Sequence, residues 1–270
     1  MSLRFSTIGI VSIFLLTVFS TQFAPLTNAA VNLEFQAASK KTQAISLYGS
    51  TNKEDFSFQG DLFSLPANFR SERALATGDI DGDGVDEILV GAGEGDGSWV
   101  QIYSPSGVLR KQFSAFDEGF HGGVDIALCD LNYNGSDEII VGAGPGDLPV
   151  LRVFTGAGLP YFNNEILVFD EKERTGVDVG CGDVDGNYLQ EIVAIQDYNT
   201  AERHVKIFRR DGSFTNNSFL VKGMDHYMGI DLEVIDFSKD HEAEIVVAGG
   251  YNTLPVVQNY FYTGVLKNEF

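Results

Sequence analysis

The amino-acid sequence predicts an all-β protein made of repeated four-stranded units, and three observations support this fold class. Glycine and phenylalanine are abundant, with 30 and 21 residues in a chain of 270, a composition that favours strands and tight turns over helices. An acidic loop motif recurs four times at a nearly constant interval. Apolar residues on either side of each loop follow strand patterns, and helical periodicity is absent from the repeats.

The N-terminal segment has the features of an export sequence. Residues 1–30 carry a single charge, Arg4, and an apolar stretch over residues 8–19. Small residues before the cleavage point predict a signal peptide over residues 1–29, cleaved after Ala29. An uncleaved membrane anchor is the alternative, although the stretch is shorter than the ~20 apolar residues of a spanning helix. In both cases the remaining chain is predicted to be secreted or to lie at the cell surface.

The repeats dominate the rest of the chain. Residues 30–41 are predicted to be a lead-in, and residues 42–270 contain the repeated units. The loop motif begins at intervals of 51, 53 and 53 residues and each time runs directly into an apolar segment. Such regular self-similarity predicts a repeat architecture. The four nine-residue loops occupy residues 79–87, 130–138, 183–191 and 236–244.

Each unit is predicted to contain four strands. In the second unit these strands cover residues 124–129, 138–141, 150–155 and 166–169, separated by Gly-rich turns. Four short strands in a unit of this length are typical of a propeller blade, which buries its faces against its neighbours. The sequence therefore predicts a β-propeller of four full blades, with the acidic loop between the first two strands of each blade.

A partial blade is predicted at the N-terminus. Residues 44–48 and 56–65 match two strands of a blade, and residues 31–35 can add a third. The last unit already reaches its fourth strand at Phe270, so these strands are not needed to complete it. An incomplete blade leaves an exposed edge. The chain is therefore expected to close a ring of five, to be a truncated part of a longer propeller, or to form an oligomer through the open blade edge.

The acidic loops are predicted to bind calcium. Oxygen-bearing side chains stand at positions 1, 3, 5 and 9, and position 7 can offer its backbone carbonyl. Alternating short side chains let a tight turn aim several hard oxygens at one centre, and a set without His or Cys suits calcium. The predicted ligands are, loop by loop, Asp79, Asp81, Asp83, Val85 and Glu87; Asp130, Asn132, Asn134, Ser136 and Glu138; Asp183, Asp185, Asn187, Leu189 and Glu191; and Asp236, Ser238, Asp240, Glu242 and Glu244.

Calcium is predicted in the first three loops, and the fourth loop is the weakest because Lys239 and His241 replace its glycines. An EF-hand is excluded, since position 12 of the first loop is Val90 rather than a bidentate glutamate. Metal-free Asx-Gly turns are the other alternative. Four loops in phase, each ending in an acid before a strand, favour calcium over that alternative.

This pattern resembles the FG-GAP (VCBS-type) repeats of the integrin α-subunit N-terminal domain and of many secreted bacterial proteins. The residues that carry the resemblance are the loop and strand from Asp79 to Gly93 and the lead-in from Phe116 to Asp125. The resemblance implies a β-propeller with structural calcium in hairpin loops on one face, and a non-catalytic role in adhesion or ligand binding. The alternatives are an extracellular polysaccharide-degrading enzyme on a propeller scaffold, and a fragment or accessory domain of a larger surface protein.

Charge and motif content narrow the partner class. The chain has 38 acidic and 18 basic residues, a net charge of −20, which repels nucleic acid. A protein or carbohydrate ligand is predicted instead, and a membrane only if the N-terminal segment is uncleaved. No metal-binding histidine pair, nucleophile elbow or phosphate-binding loop occurs, so no catalytic residue is predicted. The recurring Asp125, Asp178 and Asp231 are assigned to structural hydrogen bonds with blade turns.

Two cysteines stand just before neighbouring loops. Cys129 is one residue before the second loop, and Cys181 is two residues before the third. On equivalent strands this one-residue offset directs the two side chains to opposite faces. The sequence therefore predicts two small buried thiols and not a disulfide.

Overall fold

The computed structural model describes residues 32–36, 44–50, 56–64, 74–198, 202–224, 228–251 and 256–269. The chain divides into two compact units, Met1–Glu72 and Arg73–Phe270. All named secondary-structure elements within these described ranges are β-strands, and none of the described residues forms an apolar helix able to span a membrane. The predicted signal peptide lies outside the described residues.

The first unit contains an antiparallel three-stranded sheet in the order β1-β2-β3. Its strands are β1 (Asn32–Gln36), β2 (Ala44–Ser50) and β3 (Phe56–Ser64). β1 pairs with β2 along its whole length, and it is the third strand that the sequence allows for this segment. The segment predicted to form a partial N-terminal blade thus forms a sheet of three strands.

The second unit contains four antiparallel sheets of four strands, which are four blades of a β-propeller. Each blade is formed by four consecutive strands, as the sequence predicts. Blade one contains β4 (Leu75–Gly78), β5 (Glu87–Gly91), β6 (Trp99–Tyr103) and β7 (Leu109–Ser114). Blade two contains β8 (Val124–Cys129), β9 (Glu138–Ala143), β10 (Val150–Phe154) and β11 (Ile166–Leu167). Blade three contains β12 (Val177–Gly182), β13 (Glu191–Gln196), β14 (Arg203–Arg209) and β15 (Phe214–Val221). Blade four contains β16 (Met228–Ile235), β17 (Glu244–Tyr251), β18 (Val257–Tyr260) and β19 (Leu266–Glu269).

The second strand of each blade lies in the core. Every residue of β5, β9 and β13 is buried, which explains why these segments are continuously apolar instead of alternating. Burying one branched side chain of this kind stabilises the fold by about 1.5–3 kcal/mol. The first strands β8, β12 and β16 pack against one another in sequence, and β4 packs against β8. The blades are thus joined through their first strands.

Glycines in the second strands permit this close packing. A Cβ atom on Gly142 would lie 2.1 Å from the carbonyl oxygen of Val177 in the next blade. A Cβ atom on Gly91 would lie 2.7 Å from a methyl group of Val124. Only glycine therefore lets the second strand of one blade approach the first strand of the next this closely.

Cys129 and Cys181 form a disulfide bond, so the prediction of two free thiols is wrong. Their Cα atoms are 6.1 Å apart, within the normal range for a disulfide. The one-residue offset does direct the side chains to opposite faces of equivalent strands. In a propeller, however, the front of one blade packs against the back of the next, so opposite faces are the ones that meet. The bond joins β8 to β12 at the start of their acidic loops.

Candidate metal centre

The four acidic loops share one backbone conformation. Positions 4 and 6 are left-handed in every loop, with φ between 58° and 85°. Half of these positions are not glycine, although this conformation costs a residue with a side chain roughly 1–2 kcal/mol. The fourth loop therefore keeps the common backbone despite lacking glycine. The eight residues are Gly82 and Gly84, Tyr133 and Gly135, Gly186 and Tyr188, and Lys239 and His241.

The aspartate at position 1 organises each loop. In the first loop Asp79 Oδ1 accepts the amide hydrogen of Asp83 at 3.1 Å, and Oδ2 accepts that of Gly84 at 2.7 Å. The corresponding aspartates accept from positions 5 and 6 in the other three loops. The side chain at position 5 in turn accepts the amide hydrogen of position 7 in all four. All four loops therefore share one hydrogen-bond scheme.

The glutamate at position 9 is the buried member of each loop. It is the first residue of the second strand, and its exposure is between 1% and 4% in all four blades. A buried carboxylate requires a cation or several hydrogen bonds. Burial, and then repulsion by Asp81, raises the pKa of Glu87 to about 7. Burial and Asp185 likewise raise the pKa of Glu191 to about 7.

Two loops bring three carboxylates together. Oxygens of Asp79, Asp81 and Glu87 lie within 4.8 Å of one another, and the third loop repeats this cluster with Asp183, Asp185 and Glu191. Oxygens on opposite sides of a bound calcium ion lie roughly 5 Å apart. The spacing and the all-oxygen chemistry of both clusters therefore fit calcium.

An orphaned oxygen marks the first loop. Glu87 Oε2 is buried and forms no hydrogen bond of normal length and angle, a condition that costs about 1–3 kcal/mol. The Ile80 amide lowers the pKa of Glu87 but is the weakest influence on it. A cation bound among the carboxylates would satisfy this oxygen.

The second loop pairs its glutamate with an amide. Asn132 Nδ2 donates to Glu138 Oε1 at 2.7 Å, and the Leu131 amide donates to Glu138 Oε2 at 3.0 Å. Burial still raises the pKa of Glu138. This loop offers the carboxylates of Asp130 and Glu138, and the Asn132 side chain must turn its oxygen inward before it can ligate a metal.

A guanidinium group lies against the first loop. Arg110 Nη1 donates to Glu87 Oε1 at 3.0 Å and to Asp81 Oδ2 at 3.3 Å. The Arg110 side chain is 46% exposed, so it covers the carboxylates from the solvent side. The sequence analysis did not identify this residue.

An ammonium group lies in the fourth loop. Lys267 Nζ donates to Glu244 Oε1 and to Ser238 Oγ, while the Phe237 amide donates to Glu244 Oε2 at 2.9 Å. Burial raises the pKa of Glu244, but the hydrogen bonds from Lys267, Ser238 and Phe237 outweigh it and hold the pKa below its usual value. Lys267 was also missed, although it follows the same Gly-Val-Leu turn as Arg110.

Neighbouring loops are hydrogen-bonded to each other. The Asp137 amide donates to the Asp79 carbonyl at 2.8 Å, which joins the second loop to the first. The Ala243 amide donates to the Asp183 carbonyl at 2.7 Å, which joins the fourth loop to the third. The same two loop positions, 8 and 1, are used at both junctions.

A tyrosine joins the second loop to the third. The Tyr133 hydroxyl accepts the Gln190 amide hydrogen and donates to the Tyr188 carbonyl, both at 2.8 Å. It thus replaces the direct backbone bond at the junction that also carries the disulfide. The sequence offered no indication of this contact, because an exposed tyrosine in a polar loop has many possible partners.

A separate group of acids, the central carboxylate cluster, lies on the first strands of three blades and at the end of β13. It contains side chains from three blades whose ionised forms repel one another. Burial is the largest cause of the raised pKa values of Asp178 and of Asp125, Glu233 and Asp197, which reach about 7 for Asp125 and Glu233 and about 6 for Asp197. The members are Asp125, Asp178, Asp197, Asp231 and Glu233.

Part of the first blade matches the model of a known repeat family. Residues 73–104 match the model of the FG-GAP repeat. This segment is similar to the FG-GAP repeat. The matched residues contain the first acidic loop and strands β4 to β6, so the resemblance noted in the sequence is confirmed at the loop with the most carboxylates.

Two curated proteins are similar in sequence to part of the chain. A stretch of 74 residues is 35% identical to integrin alpha pat-2 of Caenorhabditis elegans and, equally, to that of Caenorhabditis briggsae. The alignment covers 26% of this chain and 6% of each integrin. The chain thus spans only a small part of the length of these relatives.

Two solved structures are similar over most of the chain. The biofilm matrix protein Bap1 of V. cholerae is 18% identical in sequence, and the TM-score is 0.46. The superposition covers 89% of this chain and 35% of Bap1. The rhamnogalacturonan lyase PL11 of Bacillus licheniformis is 14% identical in sequence, and the TM-score is 0.46. The superposition covers 92% of this chain and 62% of the lyase.

Proposed function

We propose that this chain is an exported β-propeller, stabilised by calcium in its first three loops, that serves as an adhesion or ligand-binding module. The partner is a protein or a carbohydrate, and the calcium is structural. The observation that carries the calcium assignment is the first loop, where Glu87 Oε2 is buried without a hydrogen-bond partner beside the carboxylates of Asp79 and Asp81.

The residues that would hold the ion are the same in each loop. Positions 1, 3, 5 and 9 supply side-chain oxygens, and position 7 supplies a carbonyl. The bound ion would supply positive charge that neutralises the buried glutamate. Since that glutamate begins the second strand, neutralising it stabilises the strand that lies deepest in each blade.

The binding role is supported by the FG-GAP repeat and by the similarity to integrin alpha over part of the chain. The charge of −20 favours neutral or basic ligands over polyanions. A propeller of this kind presents broad loop surfaces, which suit protein or carbohydrate recognition better than an enclosed reaction site.

A binding screen tests this proposal. The full chain is applied to glycan and protein arrays in about 1 mM calcium, the upper range for extracellular modules, and again in EDTA. We expect retention of a glycan or protein in calcium and its loss in EDTA. A matched variant that combines Asp79→Asn, Asp130→Asn and Asp183→Asn should behave in calcium as the parent does in EDTA. Binding that is identical in both buffers would exclude a calcium-dependent module.

A polysaccharide-degrading enzyme is the second candidate, favoured by one observation. Asp197 and Glu233 belong to single blades: Glu233 stands where blades two and three have Ala127 and Gly180. Their raised pKa values are of the kind seen in general acids. Release of reducing sugar from a polysaccharide panel by the full chain, and its loss in Glu233→Gln, would favour the enzyme over the binding module.

A further inference from the structure

Lys267 lies at a β-bulge in the last strand of the fourth blade. Tyr260 pairs with Leu266, but the next pair along the ladder is Asn259 with Asn268, so Lys267 is an extra residue in β19. A bulge of this kind redirects one side chain without ending the strand. Here the redirected side chain is the ammonium that reaches Glu244 and Ser238.

Blade one has the same irregularity. Tyr103 pairs with Leu109 and Ile102 with Lys111, which leaves Arg110 as the extra residue of β7. Arg110 and Lys267 are therefore structurally equivalent, and both contact the position 9 glutamate of their own blade.

The two other blades place no cation there. Tyr161 and Thr215 follow the equivalent turns, and the Thr215 hydroxyl donates to the Ile207 carbonyl at 2.7 Å. Among the residues that the structure describes, Glu138 and Glu191 form no ion pair. The residue at this bulge thus decides whether the fourth strand supplies a cation to the loop. In blade three Arg209, which pairs with Glu191 from β14, also acts on that glutamate.

Only the fourth loop is completed by its cation. Both oxygens of Glu244 have partners, from Lys267 and Ser238 on one side and the Phe237 amide on the other. Lys267 also lies over the Phe261 ring, at 4.9 Å from its centroid. In the first loop, by contrast, the arginine leaves one glutamate oxygen without a partner. The fourth loop therefore does not fit calcium as it stands, because an ammonium already holds its central carboxylate.

We propose that Lys267 is the built-in cation of the fourth loop, and that its ammonium takes the place which calcium takes in the first three loops. The inference rests on the proposed calcium sites for its comparison but concerns a loop that needs no metal. It accounts for a loop that keeps the common backbone and hydrogen-bond scheme while carrying Lys239 and His241 instead of glycines.

The test counts calcium bound per chain by equilibrium dialysis of the full protein. We expect three ions in the parent and four in Lys267→Met, because removing the ammonium frees Asp236, Asp240 and Glu244 for a metal. Lys267→Arg keeps the charge and should stay at three. Lys239→Met removes another lysine of the same loop that does not contact Glu244, and it should also stay at three.

Thermal melts provide the second measurement. In calcium-free buffer Lys267→Met should melt several degrees below Lys239→Met, because a buried glutamate loses its cation. Adding calcium should abolish this difference in melting temperature. A parent that binds four ions, or a Lys267→Met variant that binds no more than the parent, would overturn the proposal. If no variant binds calcium, the proposed function fails instead. In that case the role of Lys267 is tested by the melting temperatures in calcium-free buffer alone. Equal melting temperatures of Lys267→Met and Lys239→Met would overturn it.

Discussion

Asp125 Oδ2 accepts a hydrogen bond of 2.8 Å from the backbone amide of Val179, a residue of the neighbouring blade. The bond joins β8 to β12 across the interface between blades two and three. Its donor is a strand amide, whereas the sequence suggested a blade turn. The carboxylate is thus structural, yet it sits in a cluster of acids that repel it when they are ionised.

Stability should fall as the pH rises from 5 to 8. The pKa of folded Asp125 is about 7, above the ~3.9 of an unfolded aspartate. The stability that the protonated Asp125 side chain contributes to the fold is therefore fully present below about pH 4 and is lost as the pH rises through 7. Asp125→Asn keeps an oxygen for the Val179 amide and removes the charge, so it should be roughly 1–2 kcal/mol more stable than the parent at pH 8.

The measurement for this prediction is thermal unfolding at both pH values in calcium-free buffer. Asp211→Asn is a suitable control, because the pKa of Asp211 is lowered by a hydrogen bond from Ser213 and the residue is exposed. That variant should gain no stability at pH 8. An Asp125→Asn variant with the same pH slope as the parent would contradict the argument.

Removing calcium should destabilise the protein. Metal that binds only the folded state contributes about 1.4 kcal/mol per site at ten times its dissociation constant. Three sites would then lower the melting temperature by roughly 10 °C when EDTA is added. Scanning calorimetry with and without EDTA, with magnesium as the control ion, measures this shift. An unchanged melt in EDTA would refute calcium in these loops.

The loops should differ in affinity. The first loop offers four carboxylates, the third three, and the second two with two amides, and charge count raises calcium affinity. Asp81→Ala should therefore cost more bound calcium than Asp240→Ala in the fourth loop. Calcium titration of the two variants checks this order, which is wrong if Asp240→Ala shows the larger loss.

Arg110 should compete with calcium in the first loop. Its guanidinium holds the exposed Asp81 and the buried Glu87, and an exposed ion pair such as that with Asp81 is worth up to about 1 kcal/mol. Arg110→Met should strengthen calcium binding at this loop by up to about fivefold. Arg174→Met, which removes a contact to Asp147 far along the sequence from this loop, is the matched control. Weaker binding in Arg110→Met would show that the arginine assists the site.

The disulfide should contribute substantially to stability. It closes a segment of 52 residues, for which chain entropy predicts about 4 kcal/mol. Replacing both Cys129 and Cys181 by alanine should lower the free energy of unfolding by about 2–5 kcal/mol. Denaturant titration measures the change. A thiol reagent applied to the unfolded parent without reductant should find no free cysteine, and two free thiols would exclude the bond.

Most of the fold could be predicted from the sequence because strands, turns and loops are determined by residues that are close together along the chain. Alternation and turn residues define strands such as β8, and a constant repeat interval places every loop. The disulfide could not be predicted in this way. The offset between Cys129 and Cys181 was read correctly as opposite faces, but whether opposite faces meet depends on how one blade packs against the next.

The positions of the acidic loops were predictable from the sequence, whereas the basic side chains that contact them were not. Positions 1, 3, 5 and 9 are visible in the sequence because the loop is continuous. Arg110 and Lys267 reach the loops from the fourth strand, about 23 residues after Glu87 and Glu244, through a bulge that sequence patterns do not reveal. Their common Gly-Val-Leu turn was the one available indication.

The amide-to-carbonyl bonds between loops have a consequence for mechanical behaviour. Asp137 is tied to Asp79 and Ala243 to Asp183, and the Tyr133 hydroxyl spans the junction between the two pairs. A pulling force on one blade is therefore shared by the loops on either side before any strand separates. The blades should rupture as a group under tension and not separate one at a time.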